Sequence, residues 1–141
     1  ETAARLGGVP RNARAEGTDR PVVRMSNTYI ANGDWTLEEI LEELRDGVYL
    51  VGSRGGQVST GEGVFQFNAK RGYLVESGEK TKLLRDVSLS GKILETLMHV
   101  KAVGDDLLYN SGRCGKAGQL VPVSDGSPHL LVAKATVGGA G

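Results

Sequence analysis

The sequence has very little cysteine, histidine or aromatic content. Its 141 residues include one cysteine and two histidines, and aromatic residues make up only 5%. A single cysteine cannot form a disulfide within the chain, and unpaired thiols are typical of reducing compartments. We therefore expect a cytoplasmic protein.

An excess of charge of either sign is also missing. The chain carries 17 basic and 17 acidic residues, so its formal net charge is +0. Proteins that bind nucleic acids usually carry a basic patch, and this balance gives no sign of one. No apolar run approaches the roughly 20 residues that span a bilayer, and no signal peptide opens the chain. We expect neither nucleic acid nor a membrane among the partners.

Glycine, in contrast, is abundant. The 21 glycines are about twice the average usage, which is typical of a domain rich in turns and strands. Residues 1–20 are polar and basic, and we expect a linker or the tail of a preceding domain there, followed by one domain over residues 21–141. The chain begins at Glu1 rather than at a methionine, which fits a fragment of a longer protein.

Two helices are predicted. Thr36 and Glu39 have the spacing of a capping box, and an apolar stripe follows at i, i+3, i+4 and i+7. We expect this helix to end at Gly47, in the position of a C-terminal glycine. A second helix is predicted around Ser90–Val100. The positions expected to form its buried face are Ile93, Leu94, Leu97 and Met98.

The rest of the chain favours short strands. A polar turn at residues 77–80 indicates a hairpin. Gly52–Gly63 is expected to be rich in turns, with a possible strand at residues 57–60 inside it. The strand candidates are residues 22–31, 48–51, 64–68, 73–75, 83–84, 120–123 and 130–137. Short strands with two helices predict an α+β fold with a predominantly antiparallel sheet.

The glycine-rich stretch Gly52–Gly56 does not match a nucleotide-binding loop. Such a loop requires G-x-x-x-x-G-K-[ST], and neither Gly91-Lys92 nor Gly115-Lys116 completes that pattern. Hairpin glycines are the simpler interpretation. The functional alternative is an edge strand where a peptide backbone approaches closely and pairs as an added strand.

The acidic clusters favour structural roles. Asp105 and Asp106 are adjacent, so on a strand they point to opposite faces and do not share a proton site. A turn role is the simpler interpretation for both. The four carboxylates on the polar face of the first helix, Glu38, Glu39, Glu42 and Glu43, predict a solvated surface.

Cys114 is compatible with three roles. With His99 and His129 it could bind zinc, although no histidine pair has the close spacing of a self-contained zinc site. It could be the nucleophile of a small hydrolase, with His129 as base and Asp125 as the orienting carboxylate. It could also be a small apolar residue that packs in a core.

The stretch around Cys114 is unusual. Glycines lie at positions 112, 115 and 118, and the apolar alternation Leu120-Val121-Pro122-Val123 follows. We interpret Gly112–Gln119 as a tight turn that presents the thiol, because glycines let a backbone take positive φ and approach other groups closely.

The sequence GRCGKAGQLVPV resembles the CGK-GQ-VPV segment of the TldD/PmbA family of zinc metallopeptidases, whose members are also called modulators of DNA gyrase. Five further segments match in the family's order. They are Arg24 to Leu41, Asp46 to Phe67, Gly72 to Gly78, Ala102 to Leu107 and Thr136 to Gly139. The resemblance runs from about Arg11 to the end, and it identifies the chain as resembling a TldD-like C-terminal domain.

The resemblance implies a zinc site shared with a segment outside this chain. In the family an upstream HExxxH segment and the cysteine of the CGK segment bind the metal, which assigns Cys114 as one ligand. Neither His99 nor His129 is followed by glutamate, so the resemblance places no catalytic residue in this chain. Unfolded peptides are the implied substrate of the parent protein, and the domain would line part of their binding wall.

The resemblance also implies assembly with a second subunit, either a copy of the chain or a related TldD/PmbA subunit. Some relatives lack the zinc ligands and act as partner subunits without catalysis. The chain could therefore come from a peptidase or from such a partner. In either case the domain alone should be inactive.

Overall fold

The computed structural model describes residues 13–140, which form eleven strands and two short helices. The strands are β1 (Ala13–Arg14), β2 (Val22–Val23), β3 (Asn27–Tyr29), β4 (Gly47–Ser59), β5 (Val64–Glu76), β6 (Glu79–Lys92), β7 (Val100–Val103), β8 (Leu108–Lys116), β9 (Gln119–Ser127), β10 (Leu130–Val132) and β11 (Thr136–Ala140). The helices are α1 (Leu37–Leu44) and α2 (Ile93–Met98). The predicted antiparallel sheet with two short helices is confirmed.

The chain divides into two compact units. The first unit comprises residues 13–31 and Leu107–Ser127, and the second comprises Asn32–Asp106 and residues 128–140. In the described residues neither helix is long or apolar enough to cross a lipid bilayer.

The first unit is built around the β8–β9 hairpin. Its sheet has the order β3-β9-β8, in which β8 and β9 are antiparallel and β3 and β9 are parallel. The hairpin turns at Ala117 and Gly118, whose φ angles are 51° and 75°. Positive φ at both central residues gives the turn the twist that matches the two strands. β1 and β2 form a separate antiparallel pair.

The second unit contains a four-stranded antiparallel sheet in the order β11-β6-β5-β4 and a smaller β7–β10 pair. The predicted hairpin is confirmed, with its turn at Ser77 and Gly78 between β5 and β6. The expectation of a turn-rich stretch at Gly52–Gly63 holds only for residues 60–63, because β4 continues to Ser59 and includes most of the possible strand at residues 57–60. A bulge between Ser53 and Gly56 absorbs the irregularity of the glycines within the strand.

Helix α1 forms as predicted, except at its end. Thr36 caps it: the Thr36 hydroxyl accepts the Glu39 N–H at 3.3 Å, and the Glu39 carboxylate accepts the Thr36 N–H at 2.8 Å. The Arg45 N–H closes the last helical turn on the Leu41 carbonyl at 3.1 Å. The helix ends there, before Gly47, because Arg45 takes a positive φ of 56°, and Gly47 begins β4.

One buried cluster of the second unit lies against α1. Ile40 packs with Ala102 of β7 and Leu131 of β10, and the half-buried Trp35 and Leu44 surround them. Val75 of β5 and Val87 of β6 are also buried in this unit. The acidic residues of α1 face solvent, as predicted.

Helix α2 differs from its prediction. It spans six residues, because Lys92 still pairs with Val64 in the sheet and β7 begins at Val100. The expected buried face is largely exposed. The accessible fractions are 77% for Leu94, 50% for Leu97 and 85% for Met98.

Several strand predictions also need correction. The stretch 22–31 is two short strands, β2 and β3, that pair with different partners. The stretch 130–137 is likewise two strands, β10 and β11, in separate sheets. In each case one stretch with a high strand propensity is divided between two pairings, and strand propensity does not reveal which partner a strand takes.

Candidate functional site

Cys114 lies within strand β8 and not at a turn, which corrects the sequence-based interpretation. It pairs with Val121 of β9, and the hairpin turn begins three residues later at Ala117. Opposed residues of an antiparallel pair lie on the same face, so the thiol shares a face with buried Val121. The thiol is free and half-buried. It can therefore contact a ligand from outside the strand while its backbone stays in the sheet.

The side chain of Arg24 is buried beside this strand, with only 4% of its surface exposed. Its guanidinium donates from Nη1 to the Cys114 carbonyl at 3.1 Å and from Nη2 to the Lys116 carbonyl at 3.0 Å. The Lys116 ammonium in turn donates to the Val23 carbonyl at 2.7 Å. The segment before β3 is thus tied to the strand that carries the cysteine.

Residues just after the start of the described chain are tied to the same hairpin. Arg14 donates from Nη1 to the Pro122 carbonyl at 2.9 Å, and the Glu16 carboxylate accepts the Leu120 N–H at 2.7 Å. Buried Gln119 accepts the Glu16 N–H at 3.0 Å. The predicted linker at residues 1–20 lies largely outside the described residues, and its boundary stays a prediction.

A second constellation, which the sequence reasoning missed, lies in the second unit. Nδ1 of His129 donates to a carboxylate oxygen of Asp106, and the other carboxylate oxygen accepts the His129 N–H at 2.9 Å. The Tyr49 hydroxyl lies 2.7 Å from His129 Nε2, and the two rings stack with centroids 5.5 Å apart. Because Nδ1–H faces the carboxylate, Nε2 accepts the hydroxyl proton of Tyr49 when the imidazole is neutral.

The electrostatics of this constellation follow from its contacts. The backbone N–H of His129 is the main cause that lowers the pKa of Asp106, and burial opposes it. Burial raises the pKa of Tyr49, and the negative charge of Asp106 adds to the increase. Asp106 therefore stays ionised and Tyr49 stays protonated at neutral pH. Lys80 Nζ lies 4.9 Å from the centroid of the Tyr49 ring, on the edge of the group.

This arrangement bears on the roles considered for His129. Both ring nitrogens have partners within the second unit, and the orienting carboxylate is Asp106 instead of the predicted Asp125. Asp125 lies on β9, paired with Asn110 and Thr28. Asp105 has the structural role that was expected, since its N–H donates to the Trp35 carbonyl at 2.9 Å. Asp106 does more than shape a turn, because it holds the imidazole.

The remaining candidate ligands are dispersed. His99 follows α2, and its Nδ1 donates to the Glu95 carbonyl at 2.6 Å. Within residues 13–140 no group of three or more His, Cys, Asp or Glu side chains could hold a metal ion. A metal bound through Cys114 would therefore need ligands from beyond the described residues.

The glycine-rich stretch of β4 lies at an edge of the four-stranded sheet, since β4 is terminal in the order β11-β6-β5-β4. Gly56 approaches β5 so closely that a Cβ there would lie 2.1 Å from the Gln66 carbonyl oxygen. In the described residues β4 pairs on one side only, so its other side offers unpaired backbone groups.

The sequence matches a known family over nearly its whole length. Residues 1–139 match the model of the PmbA/TldA metallopeptidase C-terminal domain. The chain belongs to the PmbA/TldD metallopeptidase family. It corresponds to the C-terminal domain of that family, as the resemblance implied.

Relatives and solved structures agree with this assignment. The chain is 59% identical over 99% of its length to a metalloprotease of Archaeoglobus fulgidus, and 42% identical over 97% to a zinc metalloprotease TldD homolog of Saccharolobus solfataricus. It covers 32% and 31% of those two proteins. This chain therefore spans about a third of the length of these relatives.

Two crystal structures share the fold. A Thermotoga maritima protein called a modulator of a DNA gyrase superposes with a TM-score of 0.66 and 27% identity, over 97% of this chain and 28% of that one. TldE of Thermococcus kodakarensis superposes with a TM-score of 0.68 and 19% identity, over 97% of this chain and 29% of that one. At 19% identity the second likeness concerns the fold alone.

Proposed function

We propose that the chain is the C-terminal domain of a cytoplasmic TldD-like zinc metallopeptidase that hydrolyses unfolded peptides. In this proposal Cys114 supplies one zinc ligand, and the domain lines part of the peptide-binding wall. The observation that carries the proposal is the free, half-buried thiol of Cys114 in the family's cysteine segment.

The donor chemistry of Cys114 fits zinc. Thiolate sulfur is among the ligands that zinc binds most readily, and Cys114 makes no disulfide. The described residues provide no group of three ligands, so the chain fits the role of one contributor and not of a complete site. An upstream HExxxH segment, implied by the resemblance, would supply the remaining ligands and the glutamate.

The chain's own residues would act by holding and positioning. When bound, zinc with an open coordination position lowers the pKa of water to about 7 and polarises a peptide carbonyl. Cys114 would hold the metal from a strand fixed in register by β9, and no residue of this chain would transfer a proton to the substrate.

Strand edges support the peptide-binding part of the proposal. β4 exposes one side with its glycine-rich stretch, where few side chains obstruct an approaching backbone. A peptide in extended conformation can add to such an edge by main-chain hydrogen bonds, with little dependence on its sequence. That mode suits unfolded substrates.

The deciding experiment measures zinc per chain in the full-length parent after dialysis, by atomic emission, for the wild type and for Cys114→Ala. We expect near-stoichiometric zinc in the wild type and a sharp loss in the variant. The matched control is Ser111→Ala on the same strand, which should keep its zinc. Unchanged zinc in Cys114→Ala would overturn the assignment of the ligand.

The main alternative is that the parent is a non-catalytic partner subunit of the same family. The resemblance implies that some relatives have this role. Its signature in this experiment is the absence of zinc from both the wild type and the variant.

A small cysteine hydrolase using Cys114 is the second alternative. It predicts that alkylation of the thiol abolishes an activity that chelators do not affect. Whether the parent is a peptidase or a partner subunit of the family, we propose that it assembles as a dimer, with a second copy or with a related subunit.

A further inference from the structure

We propose that Arg24 is a positioning residue for Cys114: its guanidinium fixes the backbone from which the thiol projects toward zinc. This inference rests on the proposed function, since it assumes that Cys114 binds the metal. Arg24 itself touches neither the metal nor the substrate in this proposal.

The strand that carries Cys114 has few other constraints. β8 is terminal in the order β3-β9-β8, so within the described residues it pairs on one side only. Gly112 and Gly115, which lie close to Cys114 in β8, have no side chains that could pack. A Cβ at either position would meet only a side-chain carbon of β9, in ordinary contact at 3.6 Å. The ladder with β9 is therefore the main other restraint on the direction of the thiol.

The contacts of Arg24 supply the missing restraint. Its two terminal nitrogens reach the carbonyls of residues 114 and 116 at 3.1 and 3.0 Å, on either side of Gly115. A planar guanidinium presents donors in a rigid fork, so the two bonds fix two peptide planes relative to each other. Because the Cα–Cβ bond follows the backbone, holding these planes constrains the direction of that bond and so limits the positions that the sulfur can reach.

Burial makes an accidental contact a poor explanation. Burying a charged side chain is costly unless its donors are used. Only 4% of the surface of Arg24 is exposed, and the residue makes no ion pair with any residue from 13 to 140. Its Nε also has no partner among the described residues. In the described residues, the two hydrogen bonds to β8 are the interactions that offset the cost of burying this charge.

Arg14 provides a matched control. It also donates to two backbone carbonyls, those of Pro122 and Met25, at 2.9 and 2.5 Å. Its Nε is likewise buried without a partner. Its hydrogen bond to the hairpin goes to Pro122 of β9, whereas the bonds to Cys114 and Lys116 come from Arg24. Arg14 therefore distinguishes an effect on the stability of the hairpin from an effect on the position of Cys114.

The test uses the full-length parent with Arg24→Gln, Arg24→Lys, Arg14→Gln and Cys114→Ala. Zinc affinity is measured by competition with a colour-forming chelator, and the cobalt-substituted proteins are compared by their thiolate-to-Co²⁺ charge-transfer absorbance. Loss of a group that orients a metal ligand typically costs about 10- to 100-fold in affinity. We expect a loss of that size and a weaker or displaced absorbance for Arg24→Gln, and wild-type values for Arg14→Gln.

Arg24→Lys keeps the charge but not the fork, so its affinity should lie between those of the wild type and Arg24→Gln. This variant carries the test if Arg24→Gln does not fold. Wild-type affinity and absorbance in both Arg24 variants, or an equal loss in Arg14→Gln, would overturn the positioning role. If Cys114→Ala loses zinc while the Arg24 variants keep it, only this inference fails. If Cys114→Ala keeps its zinc, the proposed function fails and this inference with it.

Discussion

Asp106 accepts two hydrogen bonds from His129, one from the ring Nδ1 and one from the backbone N–H at 2.9 Å. The two residues are 23 positions apart, and the contact joins the loop after β7 to the segment before β10. Tyr49 of β4 extends the contact to the four-stranded sheet of the second unit. The group therefore cross-links three parts of one unit.

Replacing Asp106 should weaken this cross-link. In Asp106→Asn the side chain loses its charge and keeps only one acceptor oxygen, so one of the two His129 donors loses its partner. Since the side chain is 37% exposed, we expect a loss below the roughly 1.5–3 kcal/mol that is typical of hydrogen bonds to charged groups, about 1 kcal/mol of unfolding free energy. Urea unfolding of the full-length parent, followed by a probe in the second unit, measures it. Asp105→Asn is the neighbouring control and should have little effect.

The same pair makes a prediction about pH. The pKa of Asp106 lies below its ordinary value of 3.8, so the ionised group is favoured by folding. Its contribution to stability is present above the unfolded pKa and is lost as the pH falls through the folded pKa. The stability difference between the wild type and Asp106→Asn should therefore shrink as the pH falls below 3.8, the ordinary pKa of the carboxyl group. A difference that stays unchanged throughout that acid range would contradict the assignment.

Tyr49→Phe isolates the hydroxyl. The ring and its stacking on His129 remain, but His129 Nε2 loses a partner at 2.7 Å. We expect a loss of about 0.5–1.5 kcal/mol, which is typical of one hydrogen bond. Tyr73→Phe is the control, because that ring lies near Tyr49 with centroids 6.2 Å apart. An equal effect in both variants would show that the hydroxyl of Tyr49 is not special.

The turn beside Cys114 can be tested by Gly118→Ala. Gly118 has a φ of 75°, a conformation that costs residues with a Cβ about 1–2 kcal/mol. We expect the hairpin to be destabilised by about that amount, measured as faster amide exchange along β8 and β9. Gly115→Ala on the same hairpin meets only Leu120 at 3.6 Å and should exchange like the wild type. Equal exchange in the two variants would contradict this account of the turn.

The 141-residue chain on its own should not hydrolyse peptides. It has no HExxxH segment, and residues 13–140 contain no group of three candidate ligands. Incubation of the purified chain with an unfolded peptide, in the presence of added zinc, should leave the peptide intact, while the full-length parent cleaves it. Chelator-sensitive cleavage by the short chain would contradict the division of the site.

Local signals in the sequence were sufficient for α1 and for the hairpin at Ser77 and Gly78. A capping box and an apolar stripe lie within one or two helical turns, so neighbouring residues determine the structure. The second helix shows the opposite case. Its apolar stripe predicts a buried face, but Leu94 and Met98 are exposed and the sheet includes the residues up to Lys92.

The candidate sites divide in the same way. Cys114 could be singled out because it is the only cysteine and lies in a family segment, although its place on a strand was missed. The contacts of Tyr49, His129 and Asp106 could not be predicted, since these residues are 80 and 23 positions apart and match no spacing rule. Only the fold brings them together. Arg24 was hidden for the same reason, 90 positions from Cys114.

The location of Cys114 on a hairpin strand has a consequence for changes in chain length. Side chains alternate between the two faces of a strand, so a shift of register by one residue moves each of them to the opposite face. Cys114 lies three residues before the turn at Ala117. An added or deleted residue between them that shifted the register would turn the sulfur away from the face it shares with Val121, whereas a change of two would restore it. If Cys114 binds zinc as proposed, its role depends on whether the number of residues between it and the turn is odd or even as much as on the cysteine itself.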